Sequence, residues 1–268
     1  MPFTKINGIN LYYEIHGQGI PLLMLHHGFG CTGMWDKIIP ALVENGYKPI
    51  CYDRRGFGQS EEGPDFLDFY VRDQFLAESV IDLESFRNWL GVDSFYIVGQ
   101  CEGGVVAADY AVKHPDRVRN MVISSTLCYS ECRMHEFNLS KFTKSFDELD
   151  RELRNKLISW HGEKTRPFHD QFRQFGGAYG KDIFDLRPTL RQVTCPTLVL
   201  YPDRSFLFEV EQGVPQGELA VLPNCGHNTY DEQPEEYVSH IVNFFGRRRL
   251  DGLPGIMGRT VHPVTCAG

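Results

Sequence analysis

The sequence predicts an α/β fold, a mostly parallel sheet covered by helices on both faces. Three observations carry this reading. Short apolar runs of strand length recur along the chain, Pro21–His26 (PLLMLH) being the clearest. A continuous apolar strand belongs to a sheet covered on both faces. Amphipathic helical stretches alternate with these runs, which implies right-handed parallel crossovers. The stretch 94–104 (SFYIVGQCEGG) reads as a buried strand that breaks at a glycine-flanked turn and continues as a helix.

In chain order, 9–15 (INLYYEI) alternates, with Ile9, Leu11, Tyr13 and Ile15 on one side, a half-buried strand ended by Gly17. Residues 21–26 form the next strand, and His27-Gly28-Phe29-Gly30 turns the chain. Residues 34–45 carry a helical stripe of Trp35, Ile38, Ile39 and Leu42, stopped by Gly46. Residues 48–52 (KPICY) make another strand, followed by DRRGFGQS. A long amphipathic helix over 71–90 ends at Gly91. The glycine-turn helix spans 103–113, and 119–124 (RNMVIS) is a strand. From 127 to 191 no strand is evident, and aromatics are dense, among them Phe137, Phe142, Trp160, Phe172 and Tyr179. This segment is expected to be a helical cap over the sheet edge, supplying an apolar pocket. Strands resume at 196–201 and 218–222, then a helix runs through Phe245. The division is a core of 1–126 and 192–246, a cap of 127–191 and a loosely ordered tail of 247–268.

The chain has 268 residues, 42 % apolar and 23 % charged, enough for one large domain with an insertion. Its net charge of −8 argues against nucleic acid or an anionic membrane as partner. No 18-residue apolar run occurs, and MPFTKINGIN is not a signal peptide, so a cytoplasmic protein is expected. The eight cysteines show no paired framework and read as free thiols. Cys128, Cys132 and His135 do not complete a four-ligand metal site, and neither metal nor cofactor is expected.

At a glycine-flanked turn between strand and helix the tip residue is strained, its side chain stands clear of the sheet, and the next N–H points back toward what it attacks. Cys101 occupies that tip. Around it lie HHGFG (26–30), DRRGFGQS (53–60), GQCEGG (99–104) and NCGH (224–227). With these four motifs in order, residues 5–246 resemble the α/β-hydrolases of the small esterase, lactonase and non-haem haloperoxidase type. The resemblance implies an eight-stranded, mostly parallel sheet, a cap inserted after strand six, and a nucleophile–acid–histidine order. Residue by residue it implies Cys101 as nucleophile, His227 as base, and the backbone N–H groups of Phe29 and Glu102 as oxyanion hole. It makes His27 structural, and His26 is expected to pack in the core. Arg54 and Arg55 are expected in a structural loop, with Asp53 partnering an arginine or a backbone N–H.

Three departures bear on chemistry. Cysteine replaces the usual serine, and a thiol suits thioesters, activated esters and lactones. The acid is displaced: aligned on CPTLVL, its position falls on Ser205, while Asp203 comes two residues early. Asp203 reaching His227 through a shifted loop is the favoured reading. Glu131 as a substitute is a second, and a dyad oriented by Ser205 or a backbone carbonyl a third. Glu102 puts a carboxylate beside the thiol, which disfavours the thiolate. Its side chain either enters the pocket, to bind a polar group or relay a proton, or is hydrogen-bonded elsewhere. The expected activity is cleavage of an ester, lactone or thioester through an acyl-Cys101 intermediate, with a small apolar or aromatic acyl substrate. The alternatives are an acyltransferase or cyclase using the same intermediate, and a non-hydrolytic lyase or small-molecule receptor.

Overall fold

The computed structural model describes residues 2–64, 66, 74–175, 179, 182–204 and 213–248. An eight-stranded sheet in the order β1-β2-β4-β3-β5-β6-β7-β8 runs through it. The strands are β1 (Phe3–Ile6), β2 (Ile9–Ile15), β3 (Ile20–Leu25), β4 (Tyr47–Tyr52), β5 (Phe95–Gln100), β6 (Val118–Ser124), β7 (Thr197–Pro202) and β8 (Gly217–Leu222). β1 and β2 pair antiparallel, as do β2 and β4, and every other pair is parallel.

Period-two alternation on buried strands builds two cores. Leu23, Leu25 and Ile97 face one layer with α2 (Gln74–Leu90) and α3 (Glu102–Lys113). Leu22, Met24 and Val98 face the other with α1 (Ile39–Glu44) and, at the C-terminal end, Tyr237, Ile241 and Phe245. All six residues of β5 are buried, so the strand that delivers Cys101 is the most enclosed in the sheet.

The structure differs from the sequence expectation at three elements. β1 adds a strand: Asn7 and Gly8 have φ of 46° and 90°, the left-handed pair of a tight hairpin. FTKI is too short and too polar to show a strand pattern alone. The expected helix over 34–45 is divided into a 3-10 turn at Thr32–Trp35 and α1. Pro40 is tolerated only in a first helical turn, so α1 begins beside it. Ile15 is 40 % exposed rather than buried. The covering helix reaches only as far as Tyr13, which packs on Phe86 and Trp89.

Between β6 and β7 the chain leaves the sheet and forms the cap, with α4 (Met134–Lys141), α5 (Arg151–His161), α6 (Thr165–Phe175) and α7 (Arg187–Leu190). The two ends of this insertion meet at a neck. Tyr129 bridges antiparallel to Asp185, the Ser130 N–H donates to the Phe184 carbonyl (2.9 Å) and the Leu186 N–H to the Cys128 carbonyl (2.7 Å). Phe29, Phe57 and Phe75 of the core join Phe146, Leu157 and Phe168 of the cap in one apolar cluster. Beyond β8 lie α8 (Thr229–Glu232) and α9 (Pro234–Arg248), the latter running three residues past Phe245. The rest of the expected tail, 249–268, and Ser205 lie outside the described residues. Among the described residues no helix is long and apolar enough to cross a membrane.

α3 can lie this close to the sheet only because its first turn has no side chain facing β3. A Cβ on Gly103 would sit 2.2 Å from the Leu25 carbonyl oxygen. Gly103→Ala is therefore expected to cost about 2–4 kcal/mol, seen as a lower urea midpoint at unchanged m-value. An unaltered midpoint would contradict this packing.

Candidate active site

Cys101 sits between β5 and α3 with φ 53° and ψ −116°. A non-glycine residue in this region is strained by roughly 1–3 kcal/mol. Hydrogen bonds on both sides hold it there. The Cys101 N–H donates to the Ser124 carbonyl (2.8 Å), and its own carbonyl accepts from the N–H groups of Gly104 (2.9 Å) and Val105 (3.3 Å). The strain turns the thiol into a cavity of about 290 Å³ between sheet and cap. Cys101, Phe29, Glu102 and His227 all line it. The structure thus brings together the expected nucleophile, the expected base and the residues of both expected oxyanion donors. The Glu102 N–H is directed at the thiol.

His227 is placed by its backbone. Its carbonyl accepts from Gln100 Nε2 (2.7 Å) and Ser125 Oγ (2.8 Å). Gln100 is fully buried, and its Oε1 accepts from Ser124 Oγ and from Thr229 Oγ1 (3.2 Å). The residue just before Cys101 therefore clamps the loop that carries His227.

Asp203 does not take the acid's place. Its carboxylate accepts the N–H groups of Asn224 (2.9 Å) and Cys225 (3.1 Å), and it does not line the cavity. Those two bonds hold its carboxyl below the usual carboxylate range. The side chain fixes the turn leading to His227 instead of touching the imidazole. Without the expected glycine at 202, β7 continues to Pro202 and Asp203 enters this turn. Glu131 is exposed and lies outside the cavity lining.

The thiol's hydrogen-bond partner is a cap residue, Tyr179, whose hydroxyl lies 3.3 Å from Sγ. The Glu102 carboxylate turns away from it. It is buried against Arg54 Nη2 at 3.1 Å, and both side chains are almost fully enclosed. The Arg54 guanidinium also lies 4.7 Å above the Phe57 ring. Of the two expectations for Glu102, the hydrogen-bonded one is observed. The carboxylate lies beneath the oxyanion loop, where a Cβ on Gly28 would come within 2.5 Å of its Oε1.

Three further histidines hold these loops as neutral rings. His26 Nδ1 donates to the His27 carbonyl (2.8 Å) and Nε2 accepts the Arg54 N–H (2.9 Å), so His26 packs in the core as expected. His27 donates to the Gly28 carbonyl (2.7 Å) and accepts from the Tyr230 hydroxyl (2.9 Å). His161 of the cap accepts the Gly58 N–H (3.0 Å) and donates to the Phe29 carbonyl (3.1 Å), tying the oxyanion loop to the DRRGFGQS loop. Asp53 accepts the N–H groups of Thr32 (2.6 Å) and Gln59 (2.8 Å), the backbone role expected of it.

Burial sets the protonation states. It lowers His27 and His161 to about 4, and His26 well below its ordinary value. His227 falls to about 3, through burial and then His27. Burial, helped by the Glu102 charge, pushes Cys101 up to about 12. At neutral pH the site holds a thiol and a neutral imidazole, not an ion pair.

The sequence profile of the alpha/beta hydrolase fold matches residues 20–174 of the chain, more than half its length. The chain belongs to the α/β-hydrolase fold family. Its relatives include a proline iminopeptidase of Clostridioides difficile, 28 % identical over 185 residues, spanning 67 % of this chain and 59 % of the relative. Among solved structures it resembles a meta-cleavage product hydrolase from Pseudomonas fluorescens, with TM-score 0.74 and 18 % identity over 92 % of this chain and 97 % of that one. An enol-lactonase from Burkholderia xenovorans matches with TM-score 0.71 and 17 % identity over 91 % and 100 %. At these identities the structural matches speak to the fold alone.

Within this α/β-hydrolase fold, sequence reasoning misses Gln100, Tyr179 and His161 as site-building residues. Gln100 lies inside the quoted elbow motif, so its position is a signal. Tyr179 is legible only as one of the cap's pocket aromatics, not as the thiol's partner, and His161 has no signal, since cap and core meet only in three dimensions.

Because the buried histidines are neutral when folded and near 6.5 when free, the unfolded chain binds more protons between about pH 4 and 6.5. Their stabilisation is full above pH 6.5 and lost as pH falls through the folded values. Urea unfolding from pH 7 to 4.5 should show stability falling with a slope above one proton. In His161→Phe the slope should drop by about one proton. Equal slopes for both proteins would refute the neutral His161 bridge.

Proposed function

We propose that the chain is a cysteine-dependent acyl hydrolase acting on an ester, lactone or thioester. The carrying observation is the strained Cys101 opening into a cavity that His227 and the Phe29 and Glu102 backbones share. In this reading Cys101 Sγ attacks the carbonyl carbon while its proton passes to His227. The carbonyl electron pair becomes an oxyanion held by the N–H groups of Phe29 and Glu102, each worth roughly 3–4 kcal/mol in such sites. Collapse breaks the bond to the leaving group, which takes the proton from His227. Water then attacks the acyl-thioester, gives its proton to His227, and the acid leaves as Cys101 is reprotonated. Tyr179 donates to the sulfur as its negative charge grows.

A second reading keeps the acyl-enzyme and changes the acceptor. The cavity wall is dominated by apolar and aromatic side chains of the cap, including Phe137, Phe142, Trp160 and Phe172. Such a wall disfavours water and favours transfer to a bound alcohol, amine or carbanion. Both readings take a small apolar or aromatic acyl substrate and place the chain in the cytoplasm, where its cysteines stay reduced.

Intact-mass spectrometry after mixing with a phenylalkanoyl thioester is expected to show one acyl adduct, absent from Cys101→Ala. Release of free acid or transfer to an added acceptor separates the two readings. Turnover that persists in Cys101→Ala would reject both. The rate of Cys101 alkylation by iodoacetamide should still be rising at pH 10, since the thiol is pushed up to about 12; a plateau near pH 8.5 would show a thiolate instead. Tyr179→Phe is expected to lower kcat about 5- to 50-fold with KM little changed, the scale of one hydrogen bond to a charged group. An unchanged kcat would remove Tyr179 from the chemistry.

A further inference from the structure

The cavity has two chemically different sides. Loops of the sheet supply the reacting side, and the cap supplies a mostly apolar roof in which Tyr179 is engaged with the thiol and Lys156 with Asp231. Asn138 of α4 and His169 of α6 both line the cavity. They are 3 % and 8 % exposed. Asn138 Nδ2 is enclosed and has no hydrogen-bond partner, and the same holds for His169 Nδ1, whose nearest charged atom is Asp170 Oδ1 at 3.7 Å. The backbone around Asn138 is satisfied, its carbonyl accepting the Phe142 N–H at 2.7 Å. The side-chain amide is therefore not needed to complete the helix. An enclosed amide without a partner is destabilising, and a leucine there would extend the apolar roof. The His169 ring is held edge-on by Phe29 (5.7 Å) and Phe146 (5.7 Å), so ring packing positions it. α4 and α6 pack against each other, which puts both residues on one wall.

We propose that Asn138 and His169 form a polar subsite in the cap that binds a neutral oxygen-bearing group of the acyl substrate, a ketone or amide carbonyl, apart from the carbonyl that Cys101 attacks. The proposal rests on the acyl-hydrolase reading and narrows its substrate to oxo-acyl compounds. Neutrality follows from the charges around the cavity. Its cationic side chain, Lys156, is held by Asp231 at 3.0 Å and lies 4.9 Å over the Trp160 ring. Glu102 is matched by Arg54 beneath the floor. His169 is kept neutral by burial. A substrate carboxylate beside Asn138 and His169 would lose its hydration while Lys156 stays engaged by Asp231, whereas a carbonyl needs only a donor. The amide and the imidazole N–H supply donors.

The test uses unreactive ligands, so that binding is read apart from catalysis. Three probes are titrated into the full-length Cys101→Ala protein by calorimetry: 4-phenylbutanamide, 4-oxo-4-phenylbutanamide, and 4-phenylbutanamide carrying a ring carboxylate. The oxo probe is expected to bind about tenfold tighter than the parent, and the carboxylate more weakly than either. Adding Asn138→Leu should abolish the oxo preference, and His169→Phe should reduce it. The parent amide should still bind both variants, which shows that the cavity is intact. Equal binding of the oxo and parent probes to Cys101→Ala overturns the subsite, as does preference for the carboxylate. An oxo preference that survives Asn138→Leu overturns the assignment to Asn138. If the preference appears but no oxo-acyl thioester acylates the wild-type thiol, the subsite stands and the acyl chemistry falls.

Discussion

The site depends on one buried ion pair, Arg54 with Glu102. Glu102 has two duties: its N–H faces the Cys101 sulfur, and its carboxylate is fixed under the loop that carries Phe29. Arg54 is fixed in turn by the bond from its N–H to His26, and His26 by its bond to the His27 carbonyl. The three loops that bring the site together are thus fastened below its floor. Taking away one partner would leave the other charge buried and uncompensated, which costs about 3–5 kcal/mol. A pair this enclosed contributes little net stability against an apolar replacement. Its value lies in fixing one geometry for two hydrogen-bond donors.

Burial governs the chemistry as much as the contacts do. The same low-dielectric surroundings that raise the thiol lower the imidazole, so the resting pair carries no charge. A negative oxygen or sulfur formed there gains more from each N–H than it would in water. Under the proposed mechanism the cavity favours charge that appears during reaction over charge already present. The neutral rings of His26, His27 and His161 fit the same logic, because each bridges a donor and an acceptor and a charged ring would lose one of the two bonds.

The sheet, the helices packed on it and the elbow are legible in the sequence because they rest on local patterns: apolar runs, helical stripes and glycine at fixed offsets. Cys101 and His227 are legible for the same reason. Where a position depends on how two distant loops meet, the sequence is silent. Asp203 sits near the expected place in the chain but turns its carboxylate to two N–H groups, a difference of a few ångströms that no spacing records. Glu102 next to a nucleophile looks anomalous until Arg54, far away in sequence, is found against it. The cap was readable as helical and aromatic, but which of its side chains reach the thiol is a product of packing alone.

The thiol that Tyr179 covers has a bearing on how the protein endures. Peroxide attacks thiolates far faster than thiols, and access governs the rest. A thiol held protonated in an apolar chamber is a poor target for oxidation. The fold thereby spares Cys101 the sensitivity that makes exposed, acidic cysteines into redox sensors.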